Sequence, residues 1–135
     1  IVAWAALESM AARLVTEVAT DAEIASLREM VTSFEGGNPS AQLDEYSEAN
    51  IAFHQTILKL SRSEQLFEMA NKLFMHVRAI RARTISEGDR IQRSVVDHTQ
   101  IIEALEARDT DLAERLVREH TFNLRAHVAE NFHLK

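Results

Sequence analysis

Apolar residues recur at intervals of three and four positions along nearly the whole chain, a pattern typical of helices that bury one face. The first predicted helix runs from about Ile1 to Val18. A second begins at Thr20, because residues 20–23 read Thr-Asp-Ala-Glu and so have the form of a capping box, in which two side chains satisfy free backbone N–H groups. Its predicted inward residues are Ile24, Leu27 and Val31.

Four further helices are predicted, and each is separated from the last by residues that end helices. The strongest break is at residues 35–39, where two glycines precede Pro39. Helical patterns then cover about 41–60 and 63–84, with Ser63 as a cap, and about 90–108. The last helix begins at a cap at Asp109 or Thr110 and runs almost to Lys135. Short connections between such helices predict an all-α fold, an antiparallel bundle of about six to seven helices forming one domain over residues 1–135.

Composition narrows the classes of protein. The chain has 135 residues, the length of one ordinary domain, and its three glycines and one proline argue against a sheet architecture. The formal charge is −6 without any basic block, so this segment by itself is a poor nucleic-acid binder. Cysteine is absent and no apolar run approaches the roughly 18 residues of a membrane span. These features predict a cytoplasmic domain with no membrane partner.

Four of the six histidines, His54, His76, His98 and His120, recur every 22 residues on four successive predicted helices. His98 and His120 each lie 11 residues from the break at Asp109. At 1.5 Å of rise per residue, both are therefore about 16 Å from the same turn. The same arithmetic sets His76 beside His98, and His54 beside His76 with a mismatch of roughly 3 Å. The four histidines are predicted to lie at one level of the bundle.

The histidines also fall on predicted inward faces. Ile91, Val95, His98, Ile102 and Leu105 follow the 4-3-4-3 spacing of a helix that points at a bundle axis. His120 has a similar place in the last helix, and His76 in the fourth, where it belongs to a seam with Leu66, Met69, Leu73, Ile80 and Arg83. In the third helix, Asn50 and His54 share one face.

A single inward histidine is more often a hydrogen-bonded core residue than a metal ligand. Several neutral imidazoles in an apolar interior need donors and acceptors, however, and a divalent ion satisfies them together. Three imidazoles and one oxygen suit zinc, and also nickel, manganese or iron. The spacing therefore favours a metal site, with a metal-free polar core as the alternative.

These residues carry a resemblance to a known family. Asn50, Phe53 and His54, and a second block from His98 to His120, resemble the FadR C-terminal domain (FCD) of the FadR subfamily of GntR transcription regulators. The first residues of the chain, including the Ala-Ala-Leu-Glu at 5–8, also look like the start of that domain. The resemblance covers nearly the whole chain, from Ile1 to about Phe132.

The resemblance implies a helical bundle around a pocket where a small organic acid binds, often to a metal held by one acidic residue and three histidines. The implied histidine ligands are His54, His98 and His120, and the acidic position falls at Asn50, which is a departure. A second departure is Trp4, where many relatives have an arginine. The resemblance also implies a homodimer, and an N-terminal winged-helix domain, missing from this chain, that binds operator DNA.

Four further side chains are candidates for effector binding. His76 is not among the usual ligands of the family and is assigned to the pocket wall. Arg83 lies seven residues further on the same face, and its guanidinium suits bidentate recognition of a carboxylate. Arg78 is either a second such contact or a solvated surface cation. Tyr46, one turn before Asn50, either packs in the core or donates to an effector.

Two classes of function fit these predictions. The first is a non-enzymatic sensor, in which a small carboxylate bound at the metal shifts a dimer between two arrangements and changes its affinity for DNA. The rival is a metal-dependent hydrolase or oxygen-activating enzyme, because a three-histidine site with open positions can activate water. Against catalysis, no inward Glu or Asp is predicted beside the histidines as a general base.

For the dimer, apolar residues on the outer sides of the first and fourth helices are expected to remain partly uncovered in the monomer, as interface residues usually do. They are Trp4, Leu7, Phe67 and Phe74.

Overall fold

The computed structural model describes residues 1–32, 43–84 and 90–132, and these residues form six α-helices and no strand. The helices are α1 (Val2–Val18), α2 (Asp21–Thr32), α3 (Leu43–Leu60), α4 (Glu64–Thr84), α5 (Arg90–Glu106) and α6 (Thr110–Phe132). The predicted all-α fold is confirmed. The predicted break at 35–39 and the one before α5 lie outside the described residues.

Three helices, α1, α3 and α5, run in the same direction, and α6 runs against them. Arg13 of α1 donates to Asp111 near the start of α6, at 2.8 Å, so the end of α1 lies beside the start of α6. The tight turn at 107–109 makes α5 and α6 antiparallel as well. In α3 and α5, Tyr46 contacts Ser94, and Phe53, further along, contacts His98, which is the order of a parallel pair.

Side-chain caps begin several helices as the sequence predicts. The backbone N–H of Glu23 donates to the Thr20 hydroxyl, and the Glu23 carboxylate accepts the N–H of Thr20 at 2.9 Å, so the capping box is formed. Ser63 caps α4 through the N–H of Leu66. Asp109, rather than Thr110, supplies the cap of α6.

Arg108 ends α5 in a left-handed backbone conformation, with φ of 56°. This conformation is unfavourable for a residue with a Cβ atom. The side chain offsets the cost, because its guanidinium donates to the carbonyl oxygen of Ala19 at 2.6 Å and to the carboxylate of Asp21 at 2.7 Å. Arg108 thereby joins the α5–α6 turn to the link between α1 and α2.

One apolar core connects the helices, and α4 enters it by a different face from the one predicted. The buried residues of α4 include Ala70, Phe74 and Val77, whereas Met69 is 54% exposed and His76 is exposed. The predicted seam through Met69 and His76 is therefore wrong by a rotation of about one residue. The cause is that α4 carries large apolar residues around much of its circumference, and packing of Phe74 on Trp4 of α1 fixes the rotation, with ring centroids 5.8 Å apart.

The expected surface patch is also corrected. Trp4 is fully buried and Phe74 is 8% exposed, so neither is uncovered in the monomer. Leu7 and Phe67 pack against the core but remain partly uncovered, as expected. Among the described helices, none is long and apolar enough to cross a membrane.

Candidate metal centre

Three histidines from three helices meet in the core. His54 of α3, His98 of α5 and His120 of α6 are each at most 3% exposed. Their ring centroids lie 4.9 to 5.6 Å apart, and one ring nitrogen from each lies within 4.8 Å of the others. The structure thus brings together the three histidines that were predicted as ligands.

The nitrogens of His98 and His120 are spaced as ligands of one ion would be. Their Nε2 atoms are 3.2 Å apart. Two nitrogens bound to the same tetrahedral zinc at about 2.0–2.1 Å would be separated by about 3.3 Å. In the absence of an ion, this distance allows a hydrogen bond in which one ring donates and the other accepts.

A buried carboxylate of α1 contacts Nδ1 of His54. Glu8 is fully buried, and its Oε2 lies 2.7 Å from Nδ1 of His54. This contact leaves Nε2 of His54 as the nitrogen available to a ligand.

A second carboxylate holds His120 in the same manner. Oδ2 of Asp97 lies 2.9 Å from Nδ1 of His120. The Asp97 side chain is 32% exposed, and it borders a small cavity of about 50 Å³ between α5 and α6. His54 and His120 therefore share one arrangement, in which Nδ1 contacts a carboxylate and Nε2 lies on the far side of the ring. Carboxylate–imidazole pairs of this kind orient the histidines of metal sites and fix their tautomer.

Asn50 is the residue predicted to complete the ligand set. It lies one helical turn before His54 and is 4% exposed. Its Oδ1 is buried and accepts no hydrogen bond from the residues that the structure describes. A buried amide oxygen without a donor is unfavourable, and coordination of a cation would satisfy it. Three clustered imidazole nitrogens suit zinc and its transition-metal neighbours, and a neutral amide oxygen is compatible with them, so the chemistry of these residues fits a divalent metal.

Two other buried polar atoms lie next to this set in the sequence. Nε1 of Trp4, one turn before Glu8, and Oγ1 of Thr121, directly after His120, have no hydrogen-bond partner within the described part of the chain. Such orphaned atoms are rare in native interiors unless water or a ligand pairs with them.

Aromatic packing limits movement of the histidines. The ring of Phe53 stacks on His98 with centroids 4.2 Å apart and 16° between the planes. Tyr46, one turn before Asn50, is also buried, and its hydroxyl donates to the Ser94 hydroxyl at 2.6 Å. The structure thus places Tyr46 on the same helix as the site, with its hydroxyl between α3 and α5.

The remaining predicted site residues do not join this cluster. His76, Arg78 and Arg83 are all exposed on α4, and Arg78 forms a long ion pair of 3.9 Å with Glu48. His76 is therefore not a buried residue of a pocket wall. His76 belongs to the 22-residue series but not to the buried cluster, because the buried face of α4 is rotated away from it.

Sequence reasoning missed both carboxylates. The prediction that no acidic side chain lies beside the histidines is wrong, because Glu8 and Asp97 each contact one of them. Asp97 precedes His98 in the chain, but a helix turns 100° per residue, so its side chain reaches the neighbouring helix and His120. The available signal for Glu8 was a lone acid on the apolar face of α1, flanked by Trp4 and Ala11.

The fold and this site define a class of protein: an all-helical domain with a buried three-histidine cluster. Residues 1–123 match the family model of the FCD domain, and the chain belongs to that family. FCD domains are the ligand-binding domains of GntR-type regulators and often bind metals. A comparison with curated proteins found no match to the chain.

Proposed function

We propose that this domain is the sensor of a GntR-type transcription regulator and binds a small carboxylate at a divalent metal. The metal would be held by His54, His98, His120 and Asn50, with zinc as the first candidate and nickel, manganese or iron as alternatives. The observation that carries the proposal is the burial of three imidazoles whose ring nitrogens lie within 4.8 Å of one another.

Each part of the site has a separate role in this proposal. A bound divalent ion supplies a concentrated positive charge and open coordination positions for carboxylate oxygens. Burial of the three rings excludes water, which strengthens attraction between the site and an anion. The orphaned atoms Trp4 Nε1 and Thr121 Oγ1 offer hydrogen bonds to further polar groups of the effector.

Tyr46 stays a candidate effector-binding residue, because it lies one turn before Asn50 on the same face of α3. The earlier candidates His76, Arg78 and Arg83 stay predictions as effector contacts, and their exposure on α4 argues against them.

Family membership and the geometry of the acids both favour a sensor over an enzyme. Glu8 and Asp97 contact Nδ1 of a histidine, on the side away from Nε2. A carboxylate engaged in this way orients an imidazole and is not placed to take a proton from a substrate.

Regulation of DNA binding is the last part of the proposal. The FCD family implies a partner domain that binds DNA, and we infer that the regulator acts on its operator as a homodimer. Exposed apolar side chains such as Met69 and Met75 of α4 supply surface for such an interface. Light scattering at micromolar concentration tests the dimer, and a monomer at all concentrations would contradict it.

The central experiment measures metal content and effector binding on the same protein. Purified domain is expected to hold one divalent ion per chain by elemental analysis. A panel of small mono-, di- and tricarboxylates is then tested by thermal shift, with and without removal of the metal by a chelator. At least one carboxylate is expected to raise the melting temperature of the loaded protein and not of the stripped protein. Equal shifts for both would contradict a metal-centred site.

A further inference from the structure

The proposed ligand set carries no negative charge of its own. Three imidazoles bind an ion in their neutral form, and the amide of Asn50 is also neutral. A divalent cation taken from water into a buried site without a compensating charge is unfavourable. In the domain without a bound carboxylate, groups behind the ligands are therefore the source of negative charge within the protein.

Glu8 is the group that meets this need most directly. Among the described residues it is the one acidic side chain that is completely buried, and Oε2 lies 2.7 Å from the ring of His54. Its neighbours on the buried face of α1 are largely apolar and include Trp4, Ala11, Ala12 and Val15. A carboxylate in such surroundings is itself unfavourable unless a positive charge lies close to it.

We propose that Glu8 is a positioning residue for metal binding, which holds His54 with Nε2 toward the ion and supplies the negative charge that the ligand set lacks. The inference rests on the proposed metal site. The carboxylate accepts the Nδ1–H of His54, which fixes the tautomer with an unprotonated Nε2. Its charge acts on the ion through the imidazole ring, in an interior where water screens little.

Asp97 can be compared directly with Glu8, because each carboxylate contacts one histidine of the cluster. It contacts His120 with almost the same geometry, at 2.9 Å, but its side chain is 32% exposed beside a cavity large enough for water. Solvent screens its charge, so Asp97 contributes mainly orientation. Two carboxylates in equivalent positions thus differ chiefly in burial.

The test measures zinc dissociation constants by competition with a chromogenic chelator in wild type, Glu8→Gln and Asp97→Asn. Glutamine keeps the shape of the side chain and an oxygen that accepts the Nδ1–H, and removes the charge. Glu8→Gln is expected to weaken zinc binding by about 10- to 100-fold, and Asp97→Asn by less than about tenfold. Circular dichroism verifies that each variant is folded.

Rescue separates charge from structure. The double variant Glu8→Gln with Asn50→Asp returns one negative charge to the site, directly on the ligand, and is expected to regain about tenfold or more of the lost affinity. In addition, nitrogen-15 NMR of the zinc-loaded wild type is expected to show Nε2 of His54 as the bound nitrogen. A charge role for Glu8 makes the gain from Asn50→Asp larger in the Glu8→Gln background than in wild type, whereas a merely structural Glu8 would give the same gain in both backgrounds.

The outcomes distinguish a failure of the inference about Glu8 from a failure of the proposed metal site. If zinc binds wild type and is lost in His98→Ala but binds Glu8→Gln as tightly as wild type, the inference about Glu8 is overturned and the proposed function stands. Coordination through Nδ1 of His54 would also overturn it. If wild type binds no divalent ion, the proposed function fails first.

Discussion

His98 and His120 lie on opposite sides of the α5–α6 turn, 22 residues apart in sequence, with their Nε2 atoms 3.2 Å apart. The relationship follows from the turn itself, because both residues are 11 positions from Asp109 and α5 and α6 are antiparallel. Any change that shifts one helix along the other by a turn would separate these nitrogens by about 5 Å. The site is therefore sensitive to the relative position of its helices, as a sensor requires.

Substitution of one clustered histidine tests whether the cluster binds metal. His98→Ala removes a ligand from the centre of the set and is expected to abolish stoichiometric zinc binding, because two imidazoles and an amide do not complete a structural site. Elemental analysis after dialysis against zinc measures the ratio of metal to protein.

His76→Ala is the matched control. His76 belongs to the same 22-residue series but is exposed on α4, so this variant is expected to keep one ion per chain. Loss of metal from both variants would instead indicate adventitious binding by surface histidines.

Asn50 is the proposed oxygen ligand, and Asn50→Asp is expected to have opposite effects on the binding of zinc and on the binding of the carboxylate. An aspartate adds a negative charge, which attracts the cation and repels the carboxylate. Glu8 and Asp97 already lie behind two of the ligands, so the site is less positive than the neutral ligand set alone implies. Calorimetry is expected to show tighter zinc binding and weaker carboxylate binding in the variant. Tighter binding of both would refute the electrostatic account.

Two arginines of α4 test the alternative in which recognition of the carboxylate does not use the metal. Arg78 and Arg83 are exposed, so Arg78→Ala and Arg83→Ala are expected to leave the affinity for the effector within about threefold of wild type, as is usual for screened surface charges. Calorimetry with the best carboxylate of the panel measures this. A larger loss of affinity in either variant, with metal content intact, would indicate that the substituted arginine binds the effector.

The rotation of α4 can be tested by two adjacent residues. Phe74 is 8% exposed and packs on Trp4, whereas Met75 is 68% exposed. Phe74→Ala is expected to lower the free energy of unfolding by about 3–5 kcal/mol through loss of burial and a residual cavity. Met75→Ala is expected to change it by less than about 0.5 kcal/mol. Urea unfolding of both variants measures the difference, and similar costs would mean that α4 is rotated otherwise.

The bounds of the described helices could be predicted because they depend on local signals, such as the capping box at Thr20 and the caps at Ser63 and Asp109. The level of His98 and His120 was also predictable, since a helical hairpin with a known turn has little freedom along its axis. The inward face of α4 was not, because its apolar residues surround most of the helix and only packing on Trp4 selects Phe74. Glu8 was missed for a related reason. Its partner, His54, is 46 residues away, and a contact between two helices produces no periodic pattern in the sequence of either helix.

An ion pair that joins two helices outside the site makes the stability of the fold depend on pH. Arg28 of α2 donates two hydrogen bonds to the Glu106 carboxylate at the end of α5, and this contact lowers the pKa of Glu106 from its ordinary value of 4.5. Because the folded pKa lies below the unfolded value, the stabilisation is complete above the unfolded pKa and is lost as the pH falls through the folded pKa. The pair is partly exposed and screened, so its contribution is less than about 1 kcal/mol.

Glu106→Gln is therefore expected to melt slightly below wild type at pH 7 and together with it at pH values well below 4.5. Glu103→Gln, an exposed change one turn earlier on α5, serves as the control and is expected to match wild type at both pH values. Thermal unfolding followed by circular dichroism, on metal-free protein at low ionic strength, measures these differences. A deficit in Glu106→Gln that persists unchanged at low pH would show that the side chain stabilises the fold by packing and not by its charge.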